Sequence, residues 1–227
     1  MEAKSRRKIE MGRRALEFCR AHPDESPGYA AIVALLEQSL ARSAEAAELQ
    51  RRGILAVRAA TQLKRDLRAR MRTAHIDHLA SVGQVAAREV PGLERKFVLA
   101  PDTSSYLAFR TAAQGIAADA QGVKEVLVRH GLVESVLADL DQTLKQFDAA
   151  VEQGAEGRRL HVGASAELNA LADGIVQVVK VMSGLNRLRF GAGSERFVAW
   201  ESASSVVATP RSPVAAPPMG GEVKPAA

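Results

Sequence analysis

Nine prolines punctuate this chain of 227 residues, and five of them fall after residue 209. The other four are Pro23, Pro27, Pro91 and Pro101, so residues 28–90 and 102–209 contain none. A proline removes a helical hydrogen bond, and its ring clashes with the turn before it. Two such long runs without one leave helices free to propagate. The available side chains point the same way. Aromatic residues make up only 4% of the chain against 47% hydrophobic, so a core has to be assembled from Ala, Leu and Val, which suits closely packed helices better than a sheet.

Apolar residues recur at helical spacing in three places. Val133, Val136, Leu137, Leu140, Leu144, Phe147 and Val151 form one stripe, with Glu134, Asp139, Asp141, Asp148 and Glu152 outside it. Tyr106, Phe109, Ala113, Ile116, Ala120, Val123 and Leu127 form a second, and Leu168, Leu171, Ile175, Val178, Val179, Met182 and Leu185 a third. Ser26-Pro27 is a helix start, and Gly191, Gly193 and Ser194 mark a stop followed by a new start. These patterns predict an all-α, up-and-down bundle of six to seven helices near 3–21, 27–51, 54–89, 103–129, 132–154, 164–190 and 195–207. Pro91 to Pro101 is expected to be an ordered crossover loop. Residues 1–207 read as one helical domain and 208–227, rich in Pro, Ala and Gly, as a disordered tail. Gly53 either ends or kinks the second helix, and Gly154, Gly157 and Gly163 favour a break at the matching point of the second half. Glu48 to Leu63 loosely parallels Glu152 to Leu168, which hints at an internal duplication.

Charge is unevenly distributed. Eight bases and one acid, Asp66, lie between Arg51 and Arg72, whereas six acids and one base, Lys145, lie between Gly131 and Gly157. Arg51, Arg58, Arg65 and Arg72 repeat every seventh residue and so form a stripe along a helix. Such a stripe can follow a phosphate backbone. It can equally face water or an acidic helix. No aromatic residue interleaves it for base stacking, and no zinc-finger or helix-turn-helix pattern accompanies it.

Catalytic and metal-binding patterns are sparse. His75 and His78, three apart, are the weak metal candidates, without the Glu-x-x-His pairs of a di-metal bundle; partly exposed histidines are the plainer reading. Gly163-Ala164-Ser165-Ala166-Glu167 lacks the closing glycine of a nucleophile elbow, and Gly191-Ala192-Gly193 lacks the third glycine of a dinucleotide loop. Cys19, the single cysteine, sits in an apolar helical pattern and reads as a small core residue. The expectation is therefore a non-enzyme with no catalytic residue, no metal and no cofactor. Two residues stand out structurally. Asp119, between small residues, reads as a near-core carboxylate in need of a partner, and Trp200 as the ring that anchors the last helix. No apolar stretch reaches the roughly 20 residues of a membrane span and no leader follows the basic start, so a cytoplasmic protein without membrane contact is expected.

Several short motifs then fall in a familiar order: Thr73-Ala74, Pro91-Gly92-Leu93 with Lys96-Phe97, Ala118-Asp119-Ala120, His130-Gly131, Phe147-Asp148-Ala149-Ala150, Gly157-Arg158 with Val162, and Trp200 with Ala203. In this the chain resembles a group of helix-rich bacterial proteins of similar length, of no established activity, with a Pro-rich end. It departs from them in lacking a glycine-rich stretch after Gly53. The resemblance implies the helical fold and supplies no catalytic residue. The function expected from the residues is that of an interaction or scaffold protein, with a protein partner or self-association. The alternatives are a nucleic-acid-associated protein using Arg51 to Arg72, and a small-molecule or metal-binding bundle.

Overall fold

The structure, a computed structural model, describes residues 2–99 and 105–206. The expected tail, and the part of the crossover loop around Pro101, lie outside these residues. The described chain is all-α, with no strand. Its helices are α1 (Ala3–Ala21), α2 (Pro27–Arg70), a π-helical turn (Met71–Ile76) leading directly into α3 (Asp77–Ala86), α4 (Leu93–Lys96), α5 (Tyr106–Gly122), α6 (Lys124–Arg129), α7 (Ser135–Phe190) and α8 (Glu195–Ala203).

The break expected over 154–163 is absent, and Gly53, expected either to end or to kink its helix, does not end it. α2 runs unbroken through Gly53, and α7 runs unbroken through Gly154, Gly157 and Gly163. Glycine ends a helix where the chain turns left-handed, and among the described residues only Gly92, Gly131, Gly191 and Gly193 have such positive φ angles. An α-helical glycine flanked by good helix formers costs about 1 kcal/mol but does not stop the helix. Two further boundaries also differ. The helix expected over 103–129 is divided, with Val123 outside helical geometry at φ −126° between α5 and α6. The crossover contains the short α4, entered through Gly92 at φ 97°. Ser105 and Ser194 cap α5 and α8, each accepting a backbone N–H three residues on at 3.2 Å.

The packed residues fall into two compact units: Met1–Ala44 with Glu167–Ala227, and Glu45–Ala166. In the first, α1 buries Ile9, Met11, Ala15, Leu16, Phe18 and Cys19, and the adjoining parts of α2 and α7 bury Leu36, Leu40, Leu168, Ile175, Val179 and Met182. α8 closes this unit with Phe197 and Trp200. In the second unit one apolar cluster joins α2, the π-turn, α3, α4, α5, α6 and α7, from Leu67, Met71 and Leu79 through Phe97, Phe109 and Leu127 to Leu140 and Phe147. Removing each such side chain from water contributes about 1.5–3 kcal/mol.

The units repeat one plan. The buried positions Ser5, Ile9, Gly12 and Leu16 of α1 recur at one constant offset as Phe109, Ala113, Ile116 and Ala120 of α5. That offset also carries Leu36, Leu40, Ser43 and Ala46 onto Leu140, Leu144, Phe147 and Ala150, and Gly53 onto Gly157, all buried. From the end of the π-turn onward the match shifts by one position, to Ile76 with Val179 and Leu79 with Met182. A π-turn absorbs an extra residue inside an otherwise α-helical run.

α7 also contains an 18-residue window of mean hydropathy 1.2, long and apolar enough by composition to cross a membrane, of which 28% is buried. Its apolar residues alternate with a charged face. Leu168, Ala172, Ile175 and Val179 are buried while Asp173, on the opposite side, pairs with Lys8.

Candidate partner-binding groove

Within the second unit, α2 and α7 meet at Gly53 and Gly157, where neither helix has room for a Cβ. A Cβ placed on Gly53 would lie 2.7 Å from the His161 backbone N and 2.8 Å from the Gly157 carbonyl oxygen. One on Gly157 would lie 2.9 Å from Ala56 Cβ and 3.1 Å from the Gly53 carbonyl oxygen. Only paired glycines permit this approach. Beside the crossing the helices are held by Gln50, whose amide donates to Ser165 Oγ at 2.7 Å, while that hydroxyl donates to the His161 carbonyl at 2.7 Å.

To one side of this contact an open groove of about 770 Å³ runs along both helices. Val57 and Thr61 line it from α2, and Val151, Ala155 and Val162 from α7. Gly163 leaves its α7 wall low, with no atom within 4 Å of where its Cβ would sit, while Gly154 faces Ala60 of α2. Its charged lining is Lys64, Arg158 and Arg159, without a single acid. Lys64 rests its ammonium 4.9 Å from the Tyr106 ring centroid, an arrangement that leaves the cation in place beside the groove. Thr61 returns its hydroxyl proton to the Val57 carbonyl at 2.8 Å and so presents its methyl group outward.

The predicted arginine stripe can now be placed. Arg51, Arg58 and Arg65 are exposed, whereas Arg72 is half-buried at the π-turn. Thr61 is one helical turn from both Arg58 and Arg65, so these two share its side of α2 and extend the basic lip. Arg51 is held by Glu48 of its own helix through two hydrogen bonds of 2.9 and 2.7 Å. Among the described residues, no acid lies in ion-pair distance of Arg58, Arg65, Arg158 or Arg159. The acidic segment of α7 is engaged elsewhere: Asp148 takes both ends of the Arg110 guanidinium at 2.9 and 2.8 Å, and Asp141 pairs with Lys145 at 2.7 Å.

Arg158 and Arg159 were not singled out by sequence reasoning, because the expected break over 154–163 put them in a loop. The usable signal was that Gly157, immediately before them, matches Gly53 in the loose repeat.

The histidines and the two structural candidates lie apart from the groove. His75 is buried, 4% exposed, which corrects the expectation of partly exposed histidines; the π-turn rotates it inward, where Thr143 Oγ1 lies 3.5 Å from its Nε2. His78 is half-buried, and among the described residues neither His75 Nδ1 nor His78 Nε2 has a hydrogen-bond partner. Among the described residues, no group of three or more His, Cys, Asp or Glu is arranged to hold a metal ion. Asp119 is exposed, beside rather than on the buried stripe of α5, so the near-core placement expected for it is not found. Trp200 is fully buried and donates from Nε1 to Ser183 Oγ at 3.0 Å.

Burial, and the Arg70 charge after it, lower the pKa of His75, with Asp139 opposing. The folded protein therefore binds this proton less tightly than the unfolded chain does. Stability should fall as the pH drops through the ordinary histidine range and level off below the depressed folded value. His75→Leu should flatten that part of the profile. The check is the difference in urea midpoint between about pH 7.5 and about pH 5.5, on either side of the unperturbed value. An equal acid loss in both proteins would contradict it.

In comparisons with known proteins, the chain matches no family model, no curated protein and no solved structure.

Proposed function

We propose that this chain is a non-enzymatic interaction protein that presents the α2–α7 face of its second unit to a macromolecular partner, in a cytoplasmic setting. One observation carries the reading: an open apolar groove edged by cations, with no acid in its lining, beside the glycine crossing of α2 and α7. A site for a small molecule would surround most of its ligand, and this groove is open along its length. Catalysis needs a nucleophile, acid or base poised against a partner group; of the groove lining, Thr61 commits its hydroxyl to the backbone and Lys64 holds its ammonium over the Tyr106 ring, with no acid or base of the lining beside it.

A photoreactive benzophenone side chain at Val162, which is 60% exposed, tests the reading. In cells it should yield a discrete high-mass adduct that Arg158→Glu with Arg159→Glu removes. The same group at Leu188, 86% exposed in the first unit, should yield none. Equal labelling at the two positions, or none at Val162, would refute a binding role for this face.

A further inference from the structure

We infer that the occupant of the groove is an acidic amphipathic helix supplied by another protein, an identification that rests on the binding role proposed above. The shape of the groove carries the first part. Val151, Ala155 and Val162 share one stripe of α7, one and then two turns apart, and Val57 and Thr61 lie one turn apart on α2. Two helices that expose a seam at this spacing form the cradle into which a third packs its apolar stripe. From Val151 to Gly163 the groove is about 18 Å long at 1.5 Å per residue, enough for about three turns of a bound helix. Gly163 keeps the wall low enough for close approach, since a Cβ there would meet nothing within 4 Å.

Charge carries the second part. Lys64, Arg158 and Arg159 line the groove and Arg58 and Arg65 extend its lip, so a partner bearing carboxylates beside its apolar stripe is attracted from either side. The same charges argue against the other occupants. A second copy docking by this face would set the arginines against their own images, because a two-fold contact pairs a patch with itself. The chain's own last residues carry Arg211 and Lys224 against Glu222, and so bring no net negative charge. A nucleic-acid strand would leave the valine floor unused, and no aromatic residue lines the groove for a base to stack on.

The test uses the full-length chain and a synthetic, fluorescein-labelled peptide of about 18 residues, five helical turns. The peptide has leucines at helical spacing and glutamates flanking them; a companion replaces every glutamate by lysine. Fluorescence anisotropy should give a Kd on the order of ten micromolar for the acidic peptide and no saturable binding for the basic one. Arg158→Glu with Arg159→Glu should weaken binding about tenfold or more, as the sum of several exposed charge pairs. Gly163→Leu, which fills the groove without altering charge, should weaken it by about as much, with the circular dichroism of both variants unchanged. A short DNA duplex at equal charge concentration should not displace the peptide. Equal binding of both peptides, indifference to Gly163→Leu, or displacement by DNA would each overturn the identification. If Val162 crosslinks in cells and the acidic peptide does not bind, the binding role stands and the helix falls; if neither is observed, both fall.

Discussion

Gly53→Val should destabilise the protein by about 3 kcal/mol, the upper end of what overpacking costs. In a chain of this size that lowers the thermal midpoint by roughly 6–12 °C. The reason is the nature of the neighbours. The new Cβ alone would lie 2.7 and 2.8 Å from backbone atoms of α7, and a backbone cannot rotate aside as a side chain can. Relief would require the two helices to part along the segment that also carries Gln50 and Ser165. Elsewhere glycine replacement should have the opposite sign. Gly163→Ala and Gly174→Ala, both on α7, meet nothing within 4 Å and should gain up to about 1 kcal/mol by stiffening the unfolded chain. Differential scanning calorimetry of the three variants separates the cases. A Gly53→Val protein that melts with the wild type would mean that the helices do not touch there.

Trp200→Ala should cost about 3–5 kcal/mol. The ring is 0% exposed, meets the Phe18 ring edge-on at 5.4 Å, and is oriented by its bond to Ser183 at 3.0 Å. Truncation leaves a cavity between α1, α7 and α8 that these helices cannot close without moving the Phe18 cluster. Trp200→Phe keeps most of the buried area and loses the N–H, so it should cost less, about 1 kcal/mol for the hydrogen bond plus a smaller void. Urea denaturation followed by far-ultraviolet circular dichroism measures both, since the chain has no other tryptophan to report by fluorescence. Equal losses for the two variants would show that the hydrogen bond, rather than the packing of the ring, anchors α8.

The parts of the fold legible in the sequence are those set by neighbours along the chain. The limits of α1, the apolar stripe of α5, and the stop at Gly191 followed by a start at Ser194 depend on spacing and turn chemistry within a few residues. Gly53 and the glycines of 154–163 were not legible, because what decides their role is the helix lying opposite. A glycine that ends a helix and one that admits another backbone look alike until the partner is known. The same limit hid the groove, whose lining joins residues near 60 to residues near 157. The π-turn gave no periodic sign, and so His75 was expected to be partly exposed. The loose parallel of Glu48 to Leu63 with Glu152 to Leu168 contained more than its residue identities suggest. Its offset places Gly53 over Gly157, and the buried positions of α1 and α5 follow it.

The binding face exists only if α2 and α7 pass one another without a break, for a hinge at Gly53 or at 154–163 would leave the groove without a floor. Native-state hydrogen exchange resolved to single amides tests this most directly. The account predicts that the amides of Gly53 to Val57 and of Gly157 to His161 exchange as slowly as those around Leu140 and Leu144, in the buried middle of the helical core. Fast exchange confined to those two segments, with slow exchange on either side of each, would contradict it.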